Sequence, residues 1–169
     1  MRILFFLFLP LITKAQPTVI TWAYGPFGTP GDAVYVVEDG RIYQAGGAYG
    51  SRGPCLYVIQ DDRVYHSADA FGRPGICAFT FEGNMLVRAQ GSACARGSCA
   101  LILENGKVYR GDGPFCTKQE GAFHLEYGEG LSPTIVYLAE GAFAAKSDAL
   151  LAVKGPLDPI FLLTILAAY

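Results

Sequence analysis

The chain has 169 residues, with 13 basic and 15 acidic side chains, two histidines and five cysteines. This length fits one domain, and a domain of this size can bury about 70% of its unfolded surface in a single core. The formal net charge of −2 argues against electrostatic nucleic-acid binding, which depends on clustered lysine and arginine.

Residues 1–15 have the three-part layout of a secretory signal peptide. Arg2 precedes an apolar run from Ile3 to Ile12, and a small residue, Ala15, follows where cleavage is expected. A membrane-spanning helix needs roughly 20 apolar residues, so this run is too short to span. We therefore expect cleavage after Ala15, a secreted or periplasmic protein, and one domain over residues 16–169. All five cysteines lie in that domain, and disulfides persist in such compartments.

Four consecutive segments of the chain align without a gap and start 22 residues apart, at Ala33, Cys55, Cys77 and Cys99. Each segment opens with an apolar strand and continues with two residues that tolerate positive φ: Asp39-Gly40, Asp61-Asp62, Gly83-Asn84 and Asn105-Gly106. Such a pair between apolar runs is the strongest short-range signal for a β-hairpin with a type I′ turn. The sequence therefore predicts an all-β fold of tandem 22-residue antiparallel hairpins.

The turns also fix the register, and the register assigns each side chain to one face of the sheet. The predicted core face is apolar in every copy and carries Tyr35, Tyr57, Phe79, Leu101, Val37, Ile59, Phe81, Leu103, Ile42, Val64, Leu86 and Val108. The opposite face repeats an aromatic and cationic pattern made of Tyr43, Tyr65, Tyr109, Arg41, Arg63 and Lys107. Aromatic rings with polar handles suit contact with a glycan or a lipid headgroup, so this is the possible ligand face. The alternative is that each tyrosine ring packs against the neighbouring hairpin and contributes only stability.

The repeat continues with lower fidelity on both sides of the four copies. Val19–Gly28 matches the second half of a repeat, whereas Ala122–Tyr127 and Ala149–Lys154 resemble first strands and Val136–Ala145 resembles a whole hairpin. The domain thus begins with the second (return) strand of a hairpin and runs toward its end with the first (outgoing) strand of another. Pairing of Val19–Tyr24 with Ala149–Lys154 would close the hairpins into a shallow pseudo-symmetric ring or barrel without exposed edges.

The apolar segment Ile160–Ala168 is only nine residues long. It is therefore expected to form a buried strand or a short helix, and the domain is expected to have no membrane span.

The recurring run of an apolar strand, Asp-Gly, a basic or polar residue and Ile-Tyr is clearest in Val34–Tyr43 and Asn105–Gly111. This run resembles the repeat of the four-fold β-flower domains of bacteria. A second resemblance, carried by Tyr109-Arg110-Gly111, is to MORN repeats. The first resemblance implies a shallow ring of short hairpins around an apolar centre, and it implies no settled activity.

The cysteines follow the repeat, because Cys55, Cys77 and Cys99 occupy one position and Cys94 and Cys116 occupy another. Pairing within a copy would join Cys77 to Cys94 and Cys99 to Cys116, and it would leave Cys55 opposite Gly72. Pairing across copies would join Cys55 to Cys94 and Cys77 to Cys116. We favour the first scheme because the loop cysteines occur only in the copies that would use them. The third alternative is five free, buried thiols.

The chain contains no Cys-x-x-Cys, His-Glu-x-x-His, Walker-type or Gly-x-Ser-x-Gly motif. His66 and His124 fall on strands, and Asp61 and Asp62 fall in a turn, so we expect no catalytic residue, cofactor or metal ion. The expected function is a binding or interaction module, not an enzyme, with a glycan, lipid or protein ligand that the sequence does not identify. The alternative is a structural or assembly subunit of the cell envelope or the extracellular matrix.

Overall fold

The computed structural model describes residues 16–47 and 50–169, and the predicted signal peptide at residues 1–15 lies outside the described residues. Twelve strands and one helix follow in chain order: β1 Thr18–Tyr24, β2 Thr29–Glu38, β3 Arg41–Gly46, β4 Ser51–Gln60, β5 Arg63–Ser67, β6 Pro74–Glu82, β7 Met85–Gln90, β8 Ala95–Glu104, β9 Lys107–Asp112, β10 Thr117–Glu126, β11 Thr134–Glu140, β12 Ala145–Lys154 and α1 Pro159–Leu166. The all-β prediction is therefore confirmed, with one short helix added.

Each strand pairs antiparallel with its neighbours in sequence, and β1 pairs with β12 to close the ring. The closing register runs from Val19 opposite Lys154 to Trp22 opposite Leu151, as the half-repeats at the two ends of the domain predict. The segment Val136–Ala145, expected to resemble a whole hairpin, lies within the β11–β12 hairpin, which extends beyond it at both ends. This segment holds most of β11, a turn and the first residue of β12.

Two-residue turns join β2 to β3, β4 to β5, β6 to β7 and β8 to β9. In the first of these turns, Asp39 and Gly40 have φ values of 49° and 74°, and Asn105 and Gly106 in the last have 50° and 74°. Positive φ at both positions defines the type I′ turn, so the predicted turn type is confirmed in these two hairpins. In the other two turns only the first residue has positive φ, 53° at Asp61 and 68° at Gly83. The type I′ prediction is therefore wrong there, since positive φ at the first position alone matches a type II′ turn. The register also follows, since Glu38 lies opposite Arg41 and Glu104 lies opposite Lys107.

Longer hairpins alternate with these short ones and end in six four-residue turns, which we call tip turns. They comprise residues 25–28, 47–50, 69–72, 91–94, 113–116 and 141–144, and in each the fourth N–H donates to the first carbonyl over 3.1–3.5 Å. The fourth residue always has positive φ, even where it is Cys94, Cys116 or Ala144. Because strand direction alternates around a closed ring, all six tip turns lie on the same side of the ring.

The centre of the ring is filled by α1. Asp158 caps the helix by accepting a hydrogen bond of 3.1 Å from the Ile160 N–H, and Pro159 occupies the first turn, where its missing N–H costs nothing. Leu163 and Ile165 are fully buried against the core face of the strands. A helix that is apolar on all sides is expected to be buried, so the short-helix expectation for Ile160–Ala168 is confirmed. No helix of the described residues is long and apolar enough to cross a membrane.

The core face agrees with the register prediction. Ile42, Val64, Leu86 and Val108 from the return strands are each 0% exposed. The predicted residues of the outgoing strands surround them, either buried, as Val37 and Leu101 are, or half-buried against the same cluster. This cluster includes α1, so the helix and the inner faces of all the hairpins share one core.

The outer face of the ring is also covered, because each tip turn folds onto the hairpin before it. A Cβ built on Gly50 would lie 3.3 Å from the Cβ of Ala33, and one built on Gly72 would lie 3.2 Å from Sγ of Cys55. The same contact recurs between Ala144 and Gly121 and, across the closure, between Gly28 and Ile135. The six hairpins therefore overlap in one direction around the whole ring.

Two disulfides occupy this overlap position in the remaining hairpins. Cys77 is bonded to Cys94 and Cys99 to Cys116, with Cα atoms 5.3 and 4.9 Å apart. This is the pairing within each copy that the 22-residue repeat favours, and the joined residues are 17 apart in sequence. Cys55 keeps a free, buried thiol facing Gly72.

Candidate interaction surface

The tyrosines of the predicted ligand face all point away from the core, but the overlap of the hairpins covers most of them. Tyr43 and Tyr109 are each only 7% exposed, and Tyr65 is half-buried. Tyr43 packs against Val36, Cys55 and Val58 in a small cluster on the outer side of the sheet. Tyr43 therefore packs against the neighbouring hairpin, which was the alternative to a role in ligand binding.

A cation lies over three of the outer tyrosine rings. Arg52 is 4.9 Å from the ring centre of Tyr43, and Lys118 is 4.6 Å from that of Tyr109. Each cation also pairs with a carboxylate two strands earlier, on the far side of the tyrosine's strand, Arg52 with Glu38 at 3.0 Å and Lys118 with Glu104 at 2.6 Å. The carboxylate and cation together form a lid over the ring, which leaves little of these two tyrosines accessible.

The same lid recurs in the sixth hairpin, where Lys146 lies 3.7 Å from the ring centre of Tyr137 and 2.8 Å from Glu126. The Lys146 and Tyr137 side-chain hydrogen bonds lower the pKa of Glu126, and the bond to Glu126 raises the pKa of Lys146. The hydrogen bond to Glu104 likewise raises the pKa of Lys118. These ion pairs are exposed, so each contributes a small stabilisation that salt screens.

One copy lacks the lid. In the second repeat Gln60 and Pro74 stand where the other copies have the carboxylate and the cation. Arg63 is exposed and lies on the strand of Tyr65. Among the residues of the predicted ligand face, Arg63 is therefore exposed, and Tyr65 is half-buried against the Tyr43 cluster but has no lid.

The other two cations of that face hold tip turns. Arg41 Nε donates to the carbonyl of Gly72 over 3.4 Å, and Lys107 Nζ donates to the carbonyl of Phe143 over 2.8 Å. Arg96 makes the equivalent contact with the carbonyl of Pro114. In all three cases the cation belongs to the hairpin that precedes the tip. These side chains fasten the overlap of the hairpins.

The most exposed aromatic side chains lie in the tip turns themselves. Phe27, Phe71, Phe115 and Phe143 are 88%, 89%, 93% and 84% exposed and occupy the third position of their turns. Tyr49 has the same position in the sequence but lies outside the described residues, and the fourth turn has Ala93 there. Large apolar side chains repeated at one exposed position point to an interaction site.

The backbone around these side chains is firmly held. Asp69 Oδ1 accepts hydrogen bonds from the N–H groups of Phe71 and Arg73 at 3.0 and 3.1 Å. These backbone bonds, with that of Arg73 first, lower the pKa of Asp69. The neighbouring tips carrying Phe115 and Phe143 are held by Arg96 and Lys107. The exposed rings are therefore presented on ordered turns.

The two histidines lie apart from the tips. The exposed ring of His66 lies 5.2 Å from that of Tyr57, and His124 is half-buried with a buried Nδ1 that makes no hydrogen bond to the described residues. No group of three or more His, Cys, Asp or Glu side chains within residues 16–47 and 50–169 could hold a metal ion. The geometry thus brings together aromatic and cationic side chains.

The tip aromatics and the lids were absent from the sequence-based expectations, although the repeat carries both signals. Phe27, Tyr49 and Phe71 stand 22 residues apart, and Phe115 follows two periods after Phe71. Glu82 and Glu104 are also 22 residues apart, as are their partners Arg96 and Lys118. Comparing residue types at every position of the repeat, including the loops, would have found them.

The chain matches no known family model, and comparison with curated proteins and with solved structures yields no match either.

Proposed function

We propose that this protein is an exported, non-enzymatic interaction module that binds its ligand through the aromatic tip turns. The observation that carries the proposal is the near-complete exposure of Phe27, Phe71, Phe115 and Phe143 at one repeated position. Burying one phenylalanine side chain on a ligand yields about 1.5–3 kcal/mol. Several tips on the same side of a ring can act together, so modest contacts add up to useful affinity.

The rigidity of the tips supports this role. Two tip turns are joined to the preceding hairpin by disulfides, and others are held by Arg41, Lys107 and Asp69. Pre-ordered contact residues lose little conformational entropy on binding, which favours affinity. Aromatic anchors surrounded by polar groups are also typical of binding hot spots.

The closed ring favours a discrete binding module over the alternative of a structural or assembly subunit. Pairing of β1 with β12 leaves no unpaired edge among the described strands, which removes strand addition as a route to open-ended polymers. A monodisperse particle in solution supports the module, whereas filaments or sheets of increasing mass support assembly.

Export is part of the proposal. The signal-like residues 1–15 and the two disulfides support secretion or a periplasmic location. The resemblance to four-fold β-flower domains supports a ring of hairpins around an apolar centre as the scaffold, here with six long hairpins. Neither this resemblance nor the one to MORN repeats supplies a ligand, so a glycan, a lipid or a protein remains the candidate class.

The test compares the protein with a variant in which Phe27, Phe71, Phe115 and Phe143 are all changed to serine. Both are screened on a glycan array and on phosphatidylcholine and phosphatidylglycerol vesicles. Because these rings are exposed, the variant should keep its melting temperature within a few degrees, given changes of about 0.5 kcal/mol per surface site. We expect it to lose the binding that the parent shows.

The matched control is Ile76→Ser, which removes an exposed apolar side chain outside the tips and should leave binding intact. A third variant, Tyr65→Ser with Arg63→Ser, tests the accessible part of the tyrosine face. If the four-tip variant binds fully and the third variant does not, the ligand binds to the tyrosine face and not to the tip turns.

A further inference from the structure

A cavity of about 850 Å³ opens beside the seam where β1 meets β12, on the side of the ring opposite the tip turns. Val19 and Val153 line it from the two seam strands, and Leu162 of α1 lines it from the ring centre. The connection between β10 and β11 supplies another wall through Tyr127 and Leu131. Ligand pockets commonly have volumes of about 300–1,000 Å³, so this cavity has the size of a small-molecule site.

The wall exists because one connection departs from the repeat. Seven residues, 127–133, join β10 to β11, where two residues join the equivalent strands in the four earlier copies. The longer connection is folded on itself, since Ser132 N–H donates to the Glu129 carbonyl over 3.1 Å. A side chain at Gly128 would collide with the carbonyl oxygens of Ser132 and Pro133. The departure from the repeat therefore builds a preformed, compact wall.

Two apolar side chains of this connection face water. Leu131 is 99% exposed and Tyr127 is 61% exposed, although both border the cavity. An apolar contact with a ligand would cover them, and removing their apolar surface from water favours binding. The wall of the cavity formed by this connection is thus suited to an apolar chain.

The charge that lines the cavity is positive. Among the described residues that line it, Lys154 is the only charged one. Lys154 is exposed, pairs with Val19 in the seam and makes no ion pair with any residue in the described ranges. An uncompensated ammonium group beside an apolar wall complements an anion attached to an apolar chain.

We propose that this cavity binds one single-chain anionic amphiphile, a fatty acid being the simplest, separately from the interaction made by the tip turns. The hydrocarbon chain lies against Val153, Leu162 and Leu131. The carboxylate lies at Lys154, in water at the mouth, where it need not be desolvated. Charge complementarity and the apolar walls together fix this orientation.

The test is calorimetric titration of the exported protein with dodecanoate at pH 8, below the micelle concentration, alongside the uncharged dodecanol as a second probe. We expect one saturable dodecanoate site. Lys154→Met should weaken dodecanoate binding about two- to fivefold, the range of an exposed ion pair, and leave dodecanol binding unchanged. Leu131→Ser with Tyr127→Ser should weaken both probes by on the order of tenfold.

Ile76→Ser is the matched control, because it removes an exposed apolar side chain away from the cavity. The absence of a saturable site, or Lys154→Met acting equally on both probes, would overturn the proposal. So would loss of dodecanoate binding in the four-tip phenylalanine variant, since this would assign the amphiphile to the tip turns. Retention of dodecanoate binding in that variant supports the cavity whether or not the tips bind a ligand of their own.

Discussion

Replacing Gly72 by cysteine should create a third disulfide with Cys55. The two residues occupy the overlap position that Cys94 and Cys77, and Cys116 and Cys99, already bridge. A Cβ on Gly72 would lie 3.2 Å from the Cys55 Sγ, and the separation in sequence, 72 − 55 = 17, equals that of the native bridges. The geometry of the repeat therefore presents both sulfurs to each other.

The expected gain follows from two opposing effects. Closing a loop of this length stabilises by about 3 kcal/mol in the chain-entropy model. Gly72 has a φ of +88°, and a side chain in the left-handed region costs about 1 kcal/mol. The new Cβ would also lie 2.5 Å from Nε of Arg41, whose flexible side chain must move. The net gain is about 2 kcal/mol, which raises the melting temperature by about 4–8 °C for a domain of this size.

The assay is a thiol count on the denatured, non-reduced protein together with calorimetry. The parent should show one free thiol and Gly72→Cys none. Gly72→Ser carries the same backbone strain without a sulfur, so its melting temperature should fall slightly. Gly50→Cys faces Ala33 and should show two free thiols. Two free thiols in Gly72→Cys, under conditions that oxidise the native bridges, would refute the overlap of the hairpins at this position.

Three further outcomes follow from the core and the lids. Leu163→Ala, which empties part of α1 at a fully buried site, should cost about 2–5 kcal/mol in chemical denaturation. Burial and a hydrogen bond with Tyr35 raise the pKa of Tyr169, so its stabilisation is present below about pH 10 and lost as pH rises further; Tyr169→Phe should flatten that alkaline loss of melting temperature. The lowered pKa of Glu126 gives stability that is present above about pH 4.5 and lost as pH falls below it, and Lys146→Gln should reduce that acid dependence.

Each of these outcomes has a contrary result. A cost below about 1 kcal/mol for Leu163→Ala would mean that α1 does not fill the ring. If the melting temperature of Tyr169→Phe falls at the same alkaline pH as that of the parent, ionisation of Tyr169 does not cause the alkaline loss of stability. Unchanged acid dependence in Lys146→Gln would show that the exposed pair with Glu126 does not matter in solution.

The hairpins and their closure were predictable because the repeat carries their determinants in residue types. Asp39-Gly40 and Asn105-Gly106 specify tight turns, and their register places Ile42 and Val108 in the core. The two half-repeats specify the pairing of β1 with β12, since each lacks the other strand of its 22-residue repeat along the chain. Local turn chemistry and strand alternation were enough for this part of the fold.

The overlap of the hairpins was not predictable from residue types, because small residues such as Gly50 and Ala33 fit many environments. Only the cysteines revealed that position, through the pairing of Cys77 with Cys94. The residues one 22-residue period before Cys77 and Cys94 are Cys55 and Gly72. Applying the pairing to them would have predicted the overlap of these two hairpins as well. The cavity was equally hidden, since its wall is a departure from the repeat, and a repeat-based argument describes only what the copies share.

The closed ring of overlapping hairpins underlies both proposed sites, and it is tested most directly by nuclear Overhauser effects across the seam between β1 and β12. The register predicts interstrand contacts joining Ile20 to Val153 and Trp22 to Leu151, with slow amide exchange along both strands. Absence of these contacts, together with β1 and β12 amides that exchange as rapidly as those of free edge strands, would contradict the closed ring.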